Sequence, residues 1–391
     1  MTLQERGYTL NPLVSFVGLF ALLYAAFGAA SPFLPALVEA RGLPPEQIGM
    51  LFAAGTAIRL ISAPIAGRIA DRTHALRGTL AVCAIGTAMA ALGYLAAWGF
   101  WSLLVVSLVH SLALAPTTNL ADALALVASR RGTQGFEYGW VRGAGSAAFI
   151  VASLIGGSAV AAFDVSIIVY LQSALMLTVP FAILLVPPVT ASLAEADHKL
   201  SREGVMALVR LPVFRRVIAA AALILGSHAL HDTFSVIRWS AAGVSPQTVS
   251  VLWSLAVAAE VFVFFVIGPW LLQKLTPGTA IGLAALASAG RWLVSALTVD
   301  LSALVLIQPL HGITFALLHL SCMRLLASNV PRELAATAQA IYGTVGIGAA
   351  TAVLTLVSGW LYASIGPQAF IVMSLLCLVA LPVAVALRRA V

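Results

Sequence analysis

Arg142, Glu260, Arg291 and His311 stand in segments that are otherwise apolar enough to sit in hydrocarbon. An ionisable side chain costs about 2.5–3.5 kcal/mol at the centre of a membrane helix on insertion scales. The same expense falls on Arg59, His110, Asp122, His228, His231, Asp232, Arg238 and His319. Groups held at such cost pair with one another or face a wet cavity, and either arrangement serves binding or proton transfer better than scaffolding. An arginine fork can hold a carboxylate or hydroxyls, and a carboxylate beside an imidazole changes its protonation with water access.

The spacing groups these residues. Thr118 and Asn119 precede Asp122 by four and three residues, which puts all three on one helix face. Arg142 lies about two turns inside the next helix, in "FEYGWVRGAGS" (136–146). Pairing Asp122 with Arg142 leaves a guanidinium that is held yet has donors to spare for a solute; the alternative is a purely structural ion pair. His228 and Asp232 are four apart and His231 adjoins Asp232, so any of the three can face a cavity, hydrogen-bond between helices or form an outer gate. Arg238 fits that gate or an interface. Glu260, Arg291 and His311 come from three successive helices of the second half, as a coupling trio or as a fixed buried salt bridge. Phe16, Phe20, Tyr24 and Phe27 form a helical stripe that lines a cavity or packs.

The elements that must position them are legible in composition. Of 391 residues, 61% are hydrophobic and 9% charged, with mean hydropathy +1.03, which marks an all-α polytopic membrane protein. Apolar runs predict twelve spans near 11–38, 47–69, 78–97, 101–128, 136–162, 166–187, 213–240, 246–272, 278–297, 301–328, 334–363 and 367–387. They form two six-helix bundles, 1–187 and 213–391, joined by a polar linker over 188–212. The first run is too long for a signal peptide and reads as a retained helix. Nearly every loop Lys or Arg falls on one side, with Arg41 on the other, so both termini are expected in the cytoplasm. That rule accounts for the net charge of +7 and leaves no argument for nucleic acid. Cys83, Cys322 and Cys377 have no metal-like spacing and read as free thiols. No nucleophile with its base, phosphate loop, Walker motif or cofactor signature is present, so no cofactor is expected and an enzyme or an ATP-driven pump is disfavoured.

A shift of 201 residues lays "GLPPEQIGML" (42–51) on "GVSPQTVSVL" (243–252), Gly67 on Gly268 and His110 on His311. Tyr138-Gly139 matches Tyr342-Gly343 after a shift three residues larger. Arg59 falls on Glu260, while Phe27 and Ser31 fall on His228 and Asp232, so the polar groups differ between the copies. A parallel repeat of two six-helix halves is the architecture expected of a major facilitator fold, with the solute site between them near mid-membrane.

"IAGRIADR" (65–72) resembles the loop signature between helices 2 and 3 of the major facilitator superfamily at Gly67, Asp71 and Arg72. That resemblance implies a conformational role, with the carboxylate capping a helix end and bridging to arginine. "FEYGWVRGAGS", Glu260, Arg291 with His311, and "SGWLYASIGPQ" (358–368) are together similar to the lactose permease group of proton symporters, over essentially the whole chain. The resemblance implies that Arg142 engages the solute with Asp122 as its partner, and that Glu260, Arg291 and His311 bind and couple. Where that group has a glutamate three residues after the helix 10 histidine, this chain has Thr314, which leaves Glu260 and Asp232 to carry the proton. "LHGITFALLH" (310–319) looks like the 3-phenylpropionate permease-like branch and implies uptake of a small aromatic carboxylate. A monomer in a bacterial inner membrane is the accompanying expectation, with solute, protons and the bilayer as partners. Proposed solute contacts are Arg142, Asp122, Asn119, Tyr24, His228, Asp232 and His311. A sugar or nucleoside symporter, a proton-antiport exporter and a transporter-like sensor are the competing readings.

Overall fold

The computed structural model describes residues 11–129, 136–187 and 202–388. Positions 188–201 of the expected linker, the basic residues Arg130, Arg131 and Lys199, and the expected amino-terminal tail lie outside that set. Every regular element among the described residues is helical. In chain order the first helices are α1 (Pro12–Ala30), α2 (Leu34–Ala40), α3 (Pro45–Thr73), α4 (Leu76–Ala96), α5 (Phe100–Ser129), α6 (Tyr138–Ala162) and α7 (Ile167–Leu185). They are followed by α8 (Arg202–Arg210), α9 (Pro212–Ile224), α10 (His228–Ala241), α11 (Pro246–Phe262), α12 (Gly268–Lys274), α13 (Pro277–Leu297) and α14 (Leu301–Ile307). The last four are α15 (Leu318–Asn329), α16 (Ala335–Ile341), α17 (Ala350–Ile365) and α18 (Ala369–Leu387).

Local chemistry sets several of these boundaries. Asn11, Ser245 and Thr276 each accept a backbone N–H of the first turn and are followed by proline, whose missing donor is harmless there. Gly42 and Gly243, superposed by the 201-residue shift, both take the left-handed conformation at φ 85° and 83°, so the repeat extends to backbone conformation.

Eleven helical stretches among the described residues are long and apolar enough to cross a membrane. The twelve expected runs appear as eleven because the last stretch, Arg332–Leu387, is continuous over 56 residues through a short turn. Within that turn Gly366 sits at φ 56°, a position that favours glycine. Large apolar side chains such as Trp101, Phe163 and Leu306 are about three-quarters exposed, as a lipid-facing surface requires.

By packing, the chain divides into two compact units, one of Met1–Leu34 with Ile61–Glu195 and the other of Pro35–Leu60 with Ala196–Val391. The division cuts through α2 and α3, so the outer parts of the first two spans belong with the second unit. In the first unit, α1 meets α6 over bare backbone: a Cβ at Gly28 would sit 2.2 Å from the Phe149 carbonyl oxygen, and one at Gly156 would sit 2.9 Å from that of Ala29. A side chain at either position would force the helices apart, and with them the residues they carry.

In the second unit a Cβ at Gly312 would lie 2.5 Å from the Ala259 carbonyl oxygen, which seats the start of a wide turn directly on α11. Gly49 and Gly359 also cross without side chains, a Cβ at Gly49 reaching 2.6 Å from the Gly359 Cα. Three π-type turns, Val263–Ile267, Gly312–Leu317 and Tyr342–Ala349, interrupt the helices of this unit. Such turns redirect side chains and recur at functional positions.

Candidate functional site

Two polar clusters stand out among the described residues, one in each unit. In the first, Arg142 Nη1 lies 3.6 Å from Asp122 Oδ1 and donates to the Tyr24 hydroxyl, with the guanidinium over the same ring. Tyr138 donates to Asp122 at 2.6 Å. Gly145 makes room for Tyr24, since a Cβ there would come within 3.0 Å of the ring. The α1–α6 crossing therefore sets Tyr24 beside Arg142, and the polar face of α5 supplies Asp122. Arg142 remains 40% exposed along its side chain, so it is held without being used up. Asn119 is exposed and makes no side-chain hydrogen bond among the described residues.

The second cluster is more tightly built. Arg291 on α13 is fully buried and donates through Nη1 to His311 Nδ1 at 3.1 Å. Through Nη2 it donates to His231 Nε2 at 3.4 Å and to Gln308 Oε1 at 2.9 Å. Its Nε has no hydrogen-bond partner among the described residues. Arginine only donates, so both contacted imidazole nitrogens must be acceptors and both rings neutral. The other nitrogen of each ring lies against a carboxylate: His311 Nε2 is 3.3 Å from Glu260 Oε2, and His231 Nδ1 donates to Asp232 Oδ1 at 3.2 Å. Two carboxylate–imidazole arms thus converge on one guanidinium.

His228 is engaged differently. Its Nδ1 donates to the Ile224 carbonyl at 3.0 Å, so Nε2 accepts, at 3.0 Å, from the Thr314 hydroxyl. Arg291, His228, His231, Asp232 and His311 line a cavity of about 290 Å³, just under the usual lower size for small-molecule pockets. Trp253 and Phe315 close its apolar side, stacked on His231 at 5.3 Å and on His311 at 5.5 Å.

Other expected residues lie apart from these networks. Asp71 was expected to cap a helix or bridge to arginine, yet its Oδ1 is buried without a hydrogen-bond partner and pairs with no arginine among the described residues. Arg72 and Gly67 accompany it at the end of α3. His110, the repeat counterpart of His311, bonds Gln172 at 3.1 Å on an edge of Tyr94. Arg238 donates to the Ala296 carbonyl, and His319 Nδ1 meets the Tyr342 hydroxyl at 3.2 Å.

Several participants were not assigned a role from sequence. Gln308 stands three residues before His311, a helical spacing that was available as a signal. Tyr138 was read only as a repeat marker, and His231 was left as one of three possibilities. Trp253 and Phe315 offered no signal, because an aromatic residue in an apolar helix is ordinarily packing.

This all-helical fold, with ionisable clusters buried in membrane-length helices, defines a multi-pass transporter of the major facilitator type and not an enzyme. The chain belongs to the MFS_1 like family, whose model matches residues 13–372. It is 32% identical over 367 residues to a probable 3-phenylpropionic acid transporter of Escherichia coli, covering 93% of this chain and 95% of that protein. It is 26% identical to the maltose permease of Geobacillus stearothermophilus over 354 residues, 90% of this chain and 87% of that one. Among solved structures, a mutant form of the nucleoside transporter NupG superposes with a TM-score of 0.85 at 18% identity, covering 96% of this chain and 100% of that one.

Proposed function

We propose that the protein imports a small aromatic carboxylate, of the class of 3-phenylpropionate, together with protons across a bacterial inner membrane. The reading takes twelve spans in two six-helix halves working by alternating access, with both termini cytoplasmic and the monomer as the working unit. The observation that carries it is Arg291: a buried guanidinium that lines a small cavity between apolar aromatic and imidazole walls, with its Nε without a hydrogen-bond partner among the described residues. Such a group is suited to an anion with one ring more than to a bulky polyhydroxyl solute, because its partners leave few other free donors along the cavity. The name borne by the Escherichia coli relative supports the same class.

Arg291 receives the solute carboxylate, and Glu260, His311 and Asp232 form the proton-coupling group around it. Arg142, kept in place by Asp122 and Tyr24, is a further proposed solute contact, as is Asn119. His228 shapes the cavity wall. Gly67, Asp71 and Arg72 act in the conformational change. The maltose permease likeness supports a second reading, a sugar symporter using the hydrogen-bonding face of Arg142.

The test is solute-driven proton movement by purified protein in proteoliposomes, with aromatic acids, sugars and nucleosides offered separately. Alkalinisation of the medium on adding 3-phenylpropionate is the expected result. Proton movement with sugars alone removes the aromatic-acid assignment, and proton movement with none of the solutes removes symport.

A further inference from the structure

The two arms on Arg291 are built alike, and the likeness bears on coupling. In each, one imidazole nitrogen accepts from the guanidinium, the other lies within 3.3 Å of a carboxylate oxygen, and an aromatic ring lies nearly parallel to the imidazole. For His311 these are Arg291, Glu260 and Phe315, with ring planes 20° apart. For His231 they are Arg291, Asp232 and Trp253, with planes 25° apart. While Arg291 donates to a ring nitrogen, that nitrogen cannot take a proton, because two N–H donors would then point at each other. An anion that draws the guanidinium's donors to itself exposes both lone pairs at once.

We propose that His231 and His311 are paired proton sites that load when the solute carboxylate takes over Arg291, so that one monoanion enters with two protons. The inference rests on the reading of the solute as a carboxylate. Each loaded ring becomes an imidazolium that keeps its carboxylate partner and lies against an aromatic face, both favourable to the cation. When the anion leaves, Arg291 again donates to the two nitrogens, and the two N–H protons return to water.

Formal charge favours two protons over one. Counted over Arg291, Glu260, Asp232 and the two neutral rings alone, the formal charge sums to minus one. Adding one anion and one proton keeps that sum at minus one, whereas a second proton brings it to zero, the less costly state to carry through an occluded site. His228 stands outside the exchange: its nitrogens are taken by Ile224 and Thr314, and neither faces Arg291.

The experiment measures proton-to-solute stoichiometry in proteoliposomes of the full chain, from the membrane potential that just stops flux at fixed 3-phenylpropionate and pH gradients. The expected ratio is two for the native chain, with net positive charge moving inward. His231→Gln keeps an acceptor for Arg291 but cannot be protonated, so its expected ratio is one, with electroneutral transport. Asp232→Asn, which removes the carboxylate partner of the His231 imidazolium and one negative charge of the cluster, is expected to lower the ratio toward one, and it serves should His231→Gln not fold. A native ratio of one, or a ratio of two in His231→Gln, overturns the proposal while leaving carboxylate symport standing. Failure of every carboxylic acid to move protons removes the carboxylate reading, and this inference with it.

Discussion

His311 accepts a hydrogen bond from Arg291 on one ring nitrogen and lies 3.3 Å from Glu260 through the other. A single neutral imidazole thus stands between a guanidinium and a carboxylate. Its orientation is fixed on both sides, and exchanging either neighbour changes what the ring can do.

Arg291→Lys keeps the charge but loses the planar fork, so it serves at most part of the set now formed by His311, His231 and Gln308. The expected outcome is a fall in transport of about tenfold or more, set by loss of about 1.5–3 kcal/mol per charged hydrogen bond. Uptake of labelled 3-phenylpropionate, normalised to protein in the membrane, checks it.

Arg142→Lys is expected to abolish measurable solute binding, since Arg142 is held by Asp122 and Tyr24 while keeping exposed donors. Calorimetric titration on purified protein provides the measurement, and unchanged affinity removes Arg142 from the site.

Thr314 is fully buried, and its hydroxyl serves His228. Thr314→Val leaves the His228 acceptor without a partner, at a cost of about 1–3 kcal/mol in stability. A lowered unfolding midpoint in detergent is expected, with the proton-to-solute ratio unchanged; an altered ratio would place Thr314 in the proton route.

Gly49→Val places branched carbons where the Gly359 backbone now lies, so α3 and α17 must separate within the second unit. Transport is expected to fall at least about tenfold with normal expression, because the backbone contact cannot reform. Uptake of labelled 3-phenylpropionate, scaled to the amount of protein in the membrane, measures the fall.

Trp253→Leu removes one aromatic wall of the cavity and a ring stacked on His231. The expected change is a loss of preference for 3-phenylpropionate over a straight-chain acid of similar length, by about three- to tenfold, the scale of an aromatic pair contribution of 0.5–1.5 kcal/mol. Competition uptake assays read it directly.

The sequence by itself determined the helical membrane class, the positions of the apolar runs, the internal duplication and the short roster of buried charges. Each is a local or periodic property: hydrocarbon tolerates only saturated backbone and few charges, so composition and spacing suffice. It also brought forward Asp122 with Arg142, and Glu260 with Arg291 and His311, because helical repeat and chain order restrict which faces can meet. Tertiary structure alone decided how those groups engage. Nothing in the spacing says that His231 completes a second arm on Arg291, that Gln308 takes a third donor, or that Thr314 serves His228 in place of a carboxylate. Those outcomes depend on the rotation of α10 and α13 about their axes and on the backbone approach at Gly312. Close packing across helices distant in sequence sets both, and no local pattern encodes them.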